Sequence, residues 1–263
     1  MLVTFLTLVN FYTSLTLIPL YVLELGGDSF FSGLQNTLFF LSGVILRFYF
    51  GPLGDAKGRR LPFLLGVFVF ATSPLLFWLC RDVFQLVLVR LYQAIGLAAF
   101  FSTGNTLAAD FAAPGKTGLY IGANRMMYPL ALLVGPWLGR MVVAGGGYGP
   151  WFLVSAAIGA VALSLALAVK VPAVPCKPAQ NFLAMIWEAM QVKTLWPILG
   201  HVLVVSGAYG VLLTFLPVYL ELEAGMANSG LYFTCFGLAG IGTNLLFGYL
   251  SDRRGRQGLV VPA

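Results

Sequence analysis

The sequence predicts an all-α integral membrane protein, a bundle of about eight membrane-spanning helices. Three observations predict it. Hydrophobic residues make up 59% of the 263 and charged residues 9%, with a mean hydropathy of +0.91. Ordinary soluble domains carry about 25% charged residues, and a core of this size could not hide the difference. The apolar residues gather into runs of about 20, enough to cross roughly 30 Å of hydrocarbon as helix, and they lack the alternation of barrel strands. Finally, two stretches are copies: Gly51-Pro-Leu-Gly-Asp55-Ala-Lys-Gly58-Arg59-Arg60 and, 197 residues on, Gly248-Tyr-Leu-Ser-Asp252-Arg-Arg-Gly255-Arg256. Upstream, Ser32-Gly33-Leu34 matches Ser229-Gly230-Leu231, and Thr37, Phe39, Leu41, Gly43 and Phe50 recur as Thr234, Phe236, Leu238, Gly240 and Phe247. With a shift of one, Pro19 and Tyr21 match Pro217 and Tyr219. A repeat of membrane spans marks transporters built from two related halves.

Residues 2–23 form the first run. It has no basic start and no small-residue cleavage site, and it is too long for a signal peptide, so it reads as a span. Gly26-Gly27-Asp28 separates it from 30–52. The basic segment ending at Arg60 leads into 61–79, and Arg81-Asp82 into 83–107, which carries Arg90 and Gln93. Run 118–142 holds Gly135-Pro136, which predicts a bend, because proline removes a donor and clashes one turn back. Gly145-Gly146-Gly147-Tyr148-Gly149 turns the chain into 149–171. Residues 172–194, with Pro172, Pro175 and Pro178, are the longest connection and the natural boundary. A six-helix bundle at 1–171 is expected before it. An incomplete bundle at 195–263 is expected after it, with spans 195–220 and 227–250 and the start of another. Phe182, Ile186 and Met190 share one helical face in the connection, which suits an amphipathic surface helix and an ordinary linker equally.

Lysine and arginine set the orientation. The loops after runs 2, 4, 6 and 8, with their helix ends, hold Lys57, Arg59, Arg60, Lys116, Lys170, Lys177, Lys193, Arg253, Arg254 and Arg256. The opposite side holds Arg81 and Arg140, together with Glu24, Asp28, Asp82, Glu221 and Glu223. Both termini are therefore expected in the cytoplasm, in a multi-pass protein of a plasma membrane, a bacterial or archaeal inner membrane. The net charge of +6 sits in short loops and reads as topology; the partner is the lipid bilayer, not nucleic acid. Cys80, Cys176 and Cys235 show no metal-ligand spacing and read as inert thiols, and neither a metal nor a cofactor is expected. Gly115-Lys116-Thr117 imitates the end of a phosphate-binding loop, but Asp110 stands where that loop needs glycine, and no strand precedes it. No zinc motif, nucleophile elbow or buried carboxylate pair is present, so an enzyme is not expected.

Six spans, a central linker and a repeat of the first spans resemble the major facilitator superfamily. Its loop signature between helices 2 and 3, G-x-L-x-D-x-x-G-R-[RK], is matched in full at 51–60, and the copy at 248–256 falls where the family's second half repeats it. Arg90-Leu-Tyr-Gln93-Ala-Ile-Gly96 is similar to the family's R-x-x-Q-G-x-G, with Ala94 replacing a glycine. Gly135-Pro136-Trp-Leu-Gly139 is similar to its antiporter motif G-x-x-x-G-P-x-x-G, with Ala131 replacing the leading glycine. Arg47, eight residues before Asp55, resembles the drug- and sugar-efflux-like branch with twelve helices. The resemblance implies a major facilitator-type bundle with about eight of twelve helices present, broken off as a ninth begins, and complete relatives that act as monomers.

The loop signature also has a physical reading of its own. Gly51 and Gly58 allow close backbone approach and a sharp turn. Asp55, at a helix end, needs partners; Arg59 and Arg60 can serve, and Asp110 can join the cluster. Such a cluster can hold one state of a rocking transporter closed and break in the other. Its counterpart is Gly248, Asp252, Gly255 and Arg256. The plainer reading is a basic loop with a helix cap. Arg90 lies about two turns inside its span, where a charge is expensive and by default functional, and Gln93 faces the same side. The resemblance implies a cavity-facing role for this arginine in substrate or proton coupling; the structural alternative is an arginine bonded to neighbouring carbonyls. Arg47 and Arg125 read as anchors.

The resemblance further implies that spans 1, 4 and 7 line a central path. Their polar residues are Asn10, Tyr12, Thr13 and Ser14 in span 1, and Ser206, Tyr209 and Thr214 in span 7. Asn10 and Tyr12 diverge around the helix, so they cannot both point into one centre. His201 reads as an interfacial side chain. The expected substrate contacts are Arg90 and Gln93, supported by Asn10 and Tyr209. Gly135, Pro136 and Gly139 permit tight packing, and the resemblance implies a seal against leak. No aspartate or glutamate lies near the middle of any run, so a proton carrier would lie elsewhere. The expected function is secondary active export of a small solute by alternating access, with proton antiport as its coupling. The alternatives are a facilitated uptake carrier, and a truncated, non-transporting fragment or partner-binding stub, because two helices of a second half leave the cavity without a complete wall.

Overall fold

The computed structural model describes residues 1–114, 116–169, 171, 191–192, 195–226 and 228–254, apart from the side chains at 118–119, 195, 198 and 244–254. Their regular structure is entirely helical: α1 (Leu2–Glu24), α2 (Ser29–Lys57), α3 (Arg60–Leu79), α4 (Val83–Asp110), α5 (Thr117–Gly146), α6 (Tyr148–Ala168), α7 (Leu195–Leu222) and α8 (Gly230–Arg254). Each coincides with one predicted span. Seven are long and apolar enough to cross a membrane, and the described apolar stretch of α8 is Gly230–Thr243. The helices overrun the apolar runs: α2 continues to Lys57, α4 to Asp110 and α5 to Gly146. Backbone hydrogen bonding carries on past the hydrocarbon level, where polar side chains are tolerated.

Helix ends follow from local chemistry. Asp28 and Asp82 cap α2 and α4, each carboxylate accepting from the N–H three residues on, Phe31 at 3.0 Å and Gln85 at 2.8 Å. Gly58 takes φ +94°, a region that side chains disfavour, and reverses the chain from α2 into α3. Gly51 does not play the part expected of it: it lies inside α2 with nothing within 4 Å of an added Cβ. Cys80 follows α3; it is buried, and desolvation with Asp82 nearby pushes its thiol up to about 11, which suits an inert role. Cys235 is exposed, and Cys176 lies outside the described residues.

The bundle is organised around α1, which is buried along almost its whole length and packs on α2, α5, α6 and α7. Helix α4 lies against α2 and α3, α3 against α6, and α5 between α1 and α8. Helices do not attract one another hydrophobically inside a bilayer, so close backbone approach matters more than in water. An added Cβ at Gly159 of α6 would lie 2.5 Å from Ala71 Cα of α3. On α8, Gly230 and Gly237 meet the α5 backbone: added Cβ atoms would fall 2.7 Å from the Pro136 carbonyl and 2.9 Å from the Pro129 oxygen. Gly33, the repeat counterpart of Gly230, meets only the Phe215 ring of α7. Helix α7 is exposed along its described first half and joins the bundle through Leu213, Thr214, Pro217 and Val218. His201 lies on the exposed part.

Overpacking a tight helix contact costs about 1–3 kcal/mol. Gly159→Ala should therefore lower the thermal unfolding temperature of the detergent-solubilised protein. Gly104→Ala, with nothing within 4 Å of its new methyl, should not. Equal effects from the two would show that the α3–α6 approach contributes nothing.

Candidate functional site

Arg90 lies seven residues into α4, about 10 Å along its axis. It is 1% exposed, and its guanidinium has five N–H donors that must all be met. Five acceptors meet them. Nε donates to Gln35 Oε1 of α2; Nη1 donates to Gln93 Oε1 at 2.6 Å and Ser14 Oγ at 3.2 Å; Nη2 donates to the Ser14 carbonyl at 3.0 Å and Asn36 Oδ1 at 3.1 Å. The rings of Phe39 and Phe77 lie 5.1 and 5.6 Å from the guanidinium carbon. Among the described residues no carboxylate takes part, so neutral dipoles solvate the charge.

The acceptors are held in turn. Gln93 Nε2 donates to Ser73 Oγ of α3 at 3.1 Å, and Gln35 Nε2 to the Ser32 carbonyl at 2.8 Å. Asn36 Nδ2 donates to Thr214 Oγ1 of α7 at 2.9 Å. One buried network therefore joins α1, α2, α3 and α4 and reaches α7. Gln35, Asn36 and Ser73 were missed in the sequence. Their signal was there: adjacent amides inside an apolar run need a polar partner.

Of the expected substrate contacts, the structure brings Arg90 and Gln93 together and places both inside the bundle. Asn10 donates through Nδ2 to the Ser155 carbonyl of α6 at 2.9 Å and lines a small cavity together with Ser14 and Gln93. Tyr209 of α7 packs beside Tyr12 of α1. The span-1 residue at the junction with α7 is thus Tyr12, not Asn10. Rings continue from this pair on both sides. Phe236 of α8 lies 6.0 Å from Tyr209; Phe11 lies 5.0 Å from Tyr12 and 5.3 Å from Phe101 of α4, which lies 5.8 Å from Tyr128 of α5. Elsewhere, a cavity of about 380 Å³ opens between the starts of α1 and α5 and the end of α4, lined by Thr4, Leu107, Phe111, Tyr120 and Asn124.

Helix α5 is wedged between α1 and α8. Gly135 and Gly139 face α1, where added Cβ atoms would meet Thr13 at 2.9 and 2.3 Å, while the Pro136 backbone faces Gly230. Four residues past Pro136, Arg140 Nε lies 2.7 Å from Glu221 Oε1 at the end of α7, and Ser229 donates to the same oxygen at 2.6 Å. Thr234 of α8 donates to the Leu133 carbonyl at 2.9 Å. The α7–α8 pair is thus fastened to α5 at the end that carries Glu221.

At the opposite, basic end, Arg59 Nη1 pairs with Asp110 Oδ1. Asp110 is sheltered, its side chain 9% exposed, and its Oδ2 has no partner among the described residues. Asp55, its side chain 57% exposed, lies 4.0 Å from Arg59, the partner expected for it, and Asp110 is the more sheltered acid of the cluster. Arg60 reaches the Leu167 carbonyl at 3.5 Å. Gly255 and Arg256 lie outside the described residues; Gly248 and Asp252 fall in the backbone of α8, with the Asp252 side chain undescribed.

The Major Facilitator Superfamily profile matches residues 1–263. The multidrug resistance protein MdtG of Citrobacter koseri is 26% identical over 272 residues, covering 98% of this chain and 67% of the relative. That of Escherichia coli is 25% identical, covering 98% and 66%. The chain thus spans about two thirds of the length of the curated relatives it matches. Among solved structures, a bacterial homolog of the human lysosomal transporter Spinster, inward-facing and unoccupied, superposes with a TM-score of 0.67 at 20% identity, over 96% of this chain and 61% of that one. A mutant peptide transporter POT in complex with sulfate superposes with a TM-score of 0.55 at 14% identity, over 96% and 51%. These likenesses show the fold.

Removing Arg90 strands five acceptors in an apolar interior, and breaking a buried charged network typically costs about 3–5 kcal/mol. Arg90→Ala should sharply lower the unfolding temperature. Arg90→Lys should recover only part of the loss, because an ammonium has three donors and no planar fork. Full stability of the lysine variant would show that the fork geometry is not required.

Proposed function

Since this chain belongs to the Major Facilitator Superfamily, we propose that it acts in secondary transport, exporting a small solute by alternating access with proton antiport as the coupling. It is a multi-pass protein of the bacterial inner membrane, with the basic end in the cytoplasm. Residues 1–171 form one half, 172–194 the connection, and α7 and α8 open the second half. The observation that carries the reading is the unequal contact between α7–α8 and the first six helices. They are fastened near Glu221 by Arg140, by the glycine seam with α5 and by Thr234, whereas α7 stands exposed toward the basic end. That asymmetry suits a carrier closed on one side and open on the other.

The roles follow from the geometry. The Tyr12–Tyr209 junction is the solute's contact surface, as the facing residues of the two halves. Arg90 and Gln93 position α1, α2 and α4 around it and come within reach of solute only if their shell parts. Asn10 supports α1 against α6. The α5 glycines and Pro136 seal the closed side. The two sheltered carboxylates, Glu221 and Asp110, stand at opposite ends, each beside an arginine, so opening either end separates its pair. The described interior of the spans holds no acid, which favours facilitated export as the second reading.

Glu221→Gln should loosen the closed end, and Asp110→Asn should disturb the loop cluster more than Asp55→Asn. In sealed inside-out vesicles, solute uptake is expected to fall about tenfold for Glu221→Gln and Asp110→Asn and by less for Asp55→Asn, with membrane insertion unchanged. Uptake indistinguishable from background for the unaltered chain, with every solute tried and an imposed proton gradient, would count against transport by these 263 residues. Uptake without the gradient would remove the proton coupling alone.

A further inference from the structure

We propose that the path between the halves takes an amphipathic organic anion bearing an aromatic ring, with Arg47 and Arg125 holding the negative group and Phe101, Tyr128 and Tyr209 the ring. This rests on the transporter reading and names the solute class. Arg47 stands ten residues from the basic end of α2 and Arg125 eight from that of α5, so both lie about 12–15 Å in along their helices and at a similar depth. Both side chains are exposed, and neither makes an ion pair or hydrogen bond among the described residues.

These arginines do not behave as anchors reaching outward to lipid headgroups. The Arg47 guanidinium lies 5.7 Å from the Phe101 ring of α4, which packs on Phe11 and Tyr128 inside the bundle. Arg125 stands three residues before Tyr128 on the same face of α5, and Tyr128 packs on the Phe101 ring that Arg47 overlies, so both arginines border one pair of rings between α2 and α5. That pair opens the run of rings that leads through Phe101, Phe11 and Tyr12 to Tyr209.

No described carboxylate offsets them. Glu24, Asp28, Asp82, Glu221 and Glu223 belong to the opposite end, and Asp55 and Asp110 to the Arg59 loop. Two unpaired guanidiniums against low-dielectric walls attract an anion and repel a cation, and a guanidinium's fork matches a carboxylate, sulfonate or phosphonate. The rings supply an apolar, stackable surface for the remainder.

The test is equilibrium binding of two probes matched in ring and opposite in charge, naphthalene-2-sulfonate and 2-naphthyltrimethylammonium. Titration calorimetry of the purified full chain in phosphatidylcholine nanodiscs, with empty nanodiscs subtracted, reads it. The sulfonate should saturate, bind at least about tenfold tighter than the cation, and weaken as salt rises. Arg47→Gln and Arg125→Gln should each weaken it about tenfold, and Arg47→Lys and Arg125→Lys should regain most of that, with unfolding temperatures confirming intact folding. Cation binding as tight as sulfonate binding, no saturable sulfonate binding, or glutamine variants that bind as the unaltered chain does would each overturn the proposal. The comparison of probes needs no variant, so it decides even if a substitution disturbs the fold. A chain that transports cations would sink the anion preference and leave alternating access standing. Anion binding without any vesicle transport would do the reverse.

Discussion

A permanent positive charge in the middle of an apolar bundle governs the arrangement of its first four helices. Placing an arginine at the centre of a membrane helix costs about 2.5–3.5 kcal/mol even by the mildest scale. That cost is tolerable only when every donor is met. Arg90 meets this condition with side chains from α1, α2 and α4 and one carbonyl of α1, and Gln93 passes the demand on to α3 through Ser73. Five fixed directions leave little freedom in how those helices pack. Because the described shell contains no acid, its rigidity comes from directional bonds and not from Coulomb pairing.

Helix α5 solves a different problem. It must touch α1 on one side and α8 on the other without side chains holding them apart. Gly135 and Gly139 thin it toward α1, and the bare Pro136 backbone receives Gly230. Beyond this wedge the contacts turn ionic, with Arg140 and Glu221 near the rim, where water can take over when the pair separates. Apolar closeness at depth and an exchangeable ion pair at the mouth are what a contact needs if it must form and break within a membrane.

Much of this was legible in the sequence because membrane spans carry strong, local signals. Eight helices, their order and the motif bearing Asp55 and Arg59 could be read from apolar run length, charge placement and repetition. What could not be read was direction around each helix axis. Asn10 and Tyr12 are two residues apart and were known to diverge, but only packing decides that Asn10 meets Ser155 while Tyr12 meets Tyr209. The unequal shelter of Asp55 and Asp110 has the same origin: both sit at helix ends, and their exposure depends on the neighbouring helix. Gln35 and Asn36 are uncharged amides in an otherwise apolar run, and only the buried Arg90 of another helix reveals what they are for.

The duplicated segments have aged unequally. Gly33 and Gly230 occupy matching positions of the repeat, and so do Ser32 and Ser229. Yet Gly33 is overlooked by a phenyl ring that can swing aside, whereas Gly230 is pressed against peptide carbonyl atoms that cannot. Ser32 donates to a backbone oxygen of the preceding helix, and Ser229 to the carboxylate of an inter-helix ion pair. Mutational drift is therefore cheap at the first glycine and nearly forbidden at the second. At these two positions the first copy tolerates a side chain that the second, pressed into the seam with α5, excludes.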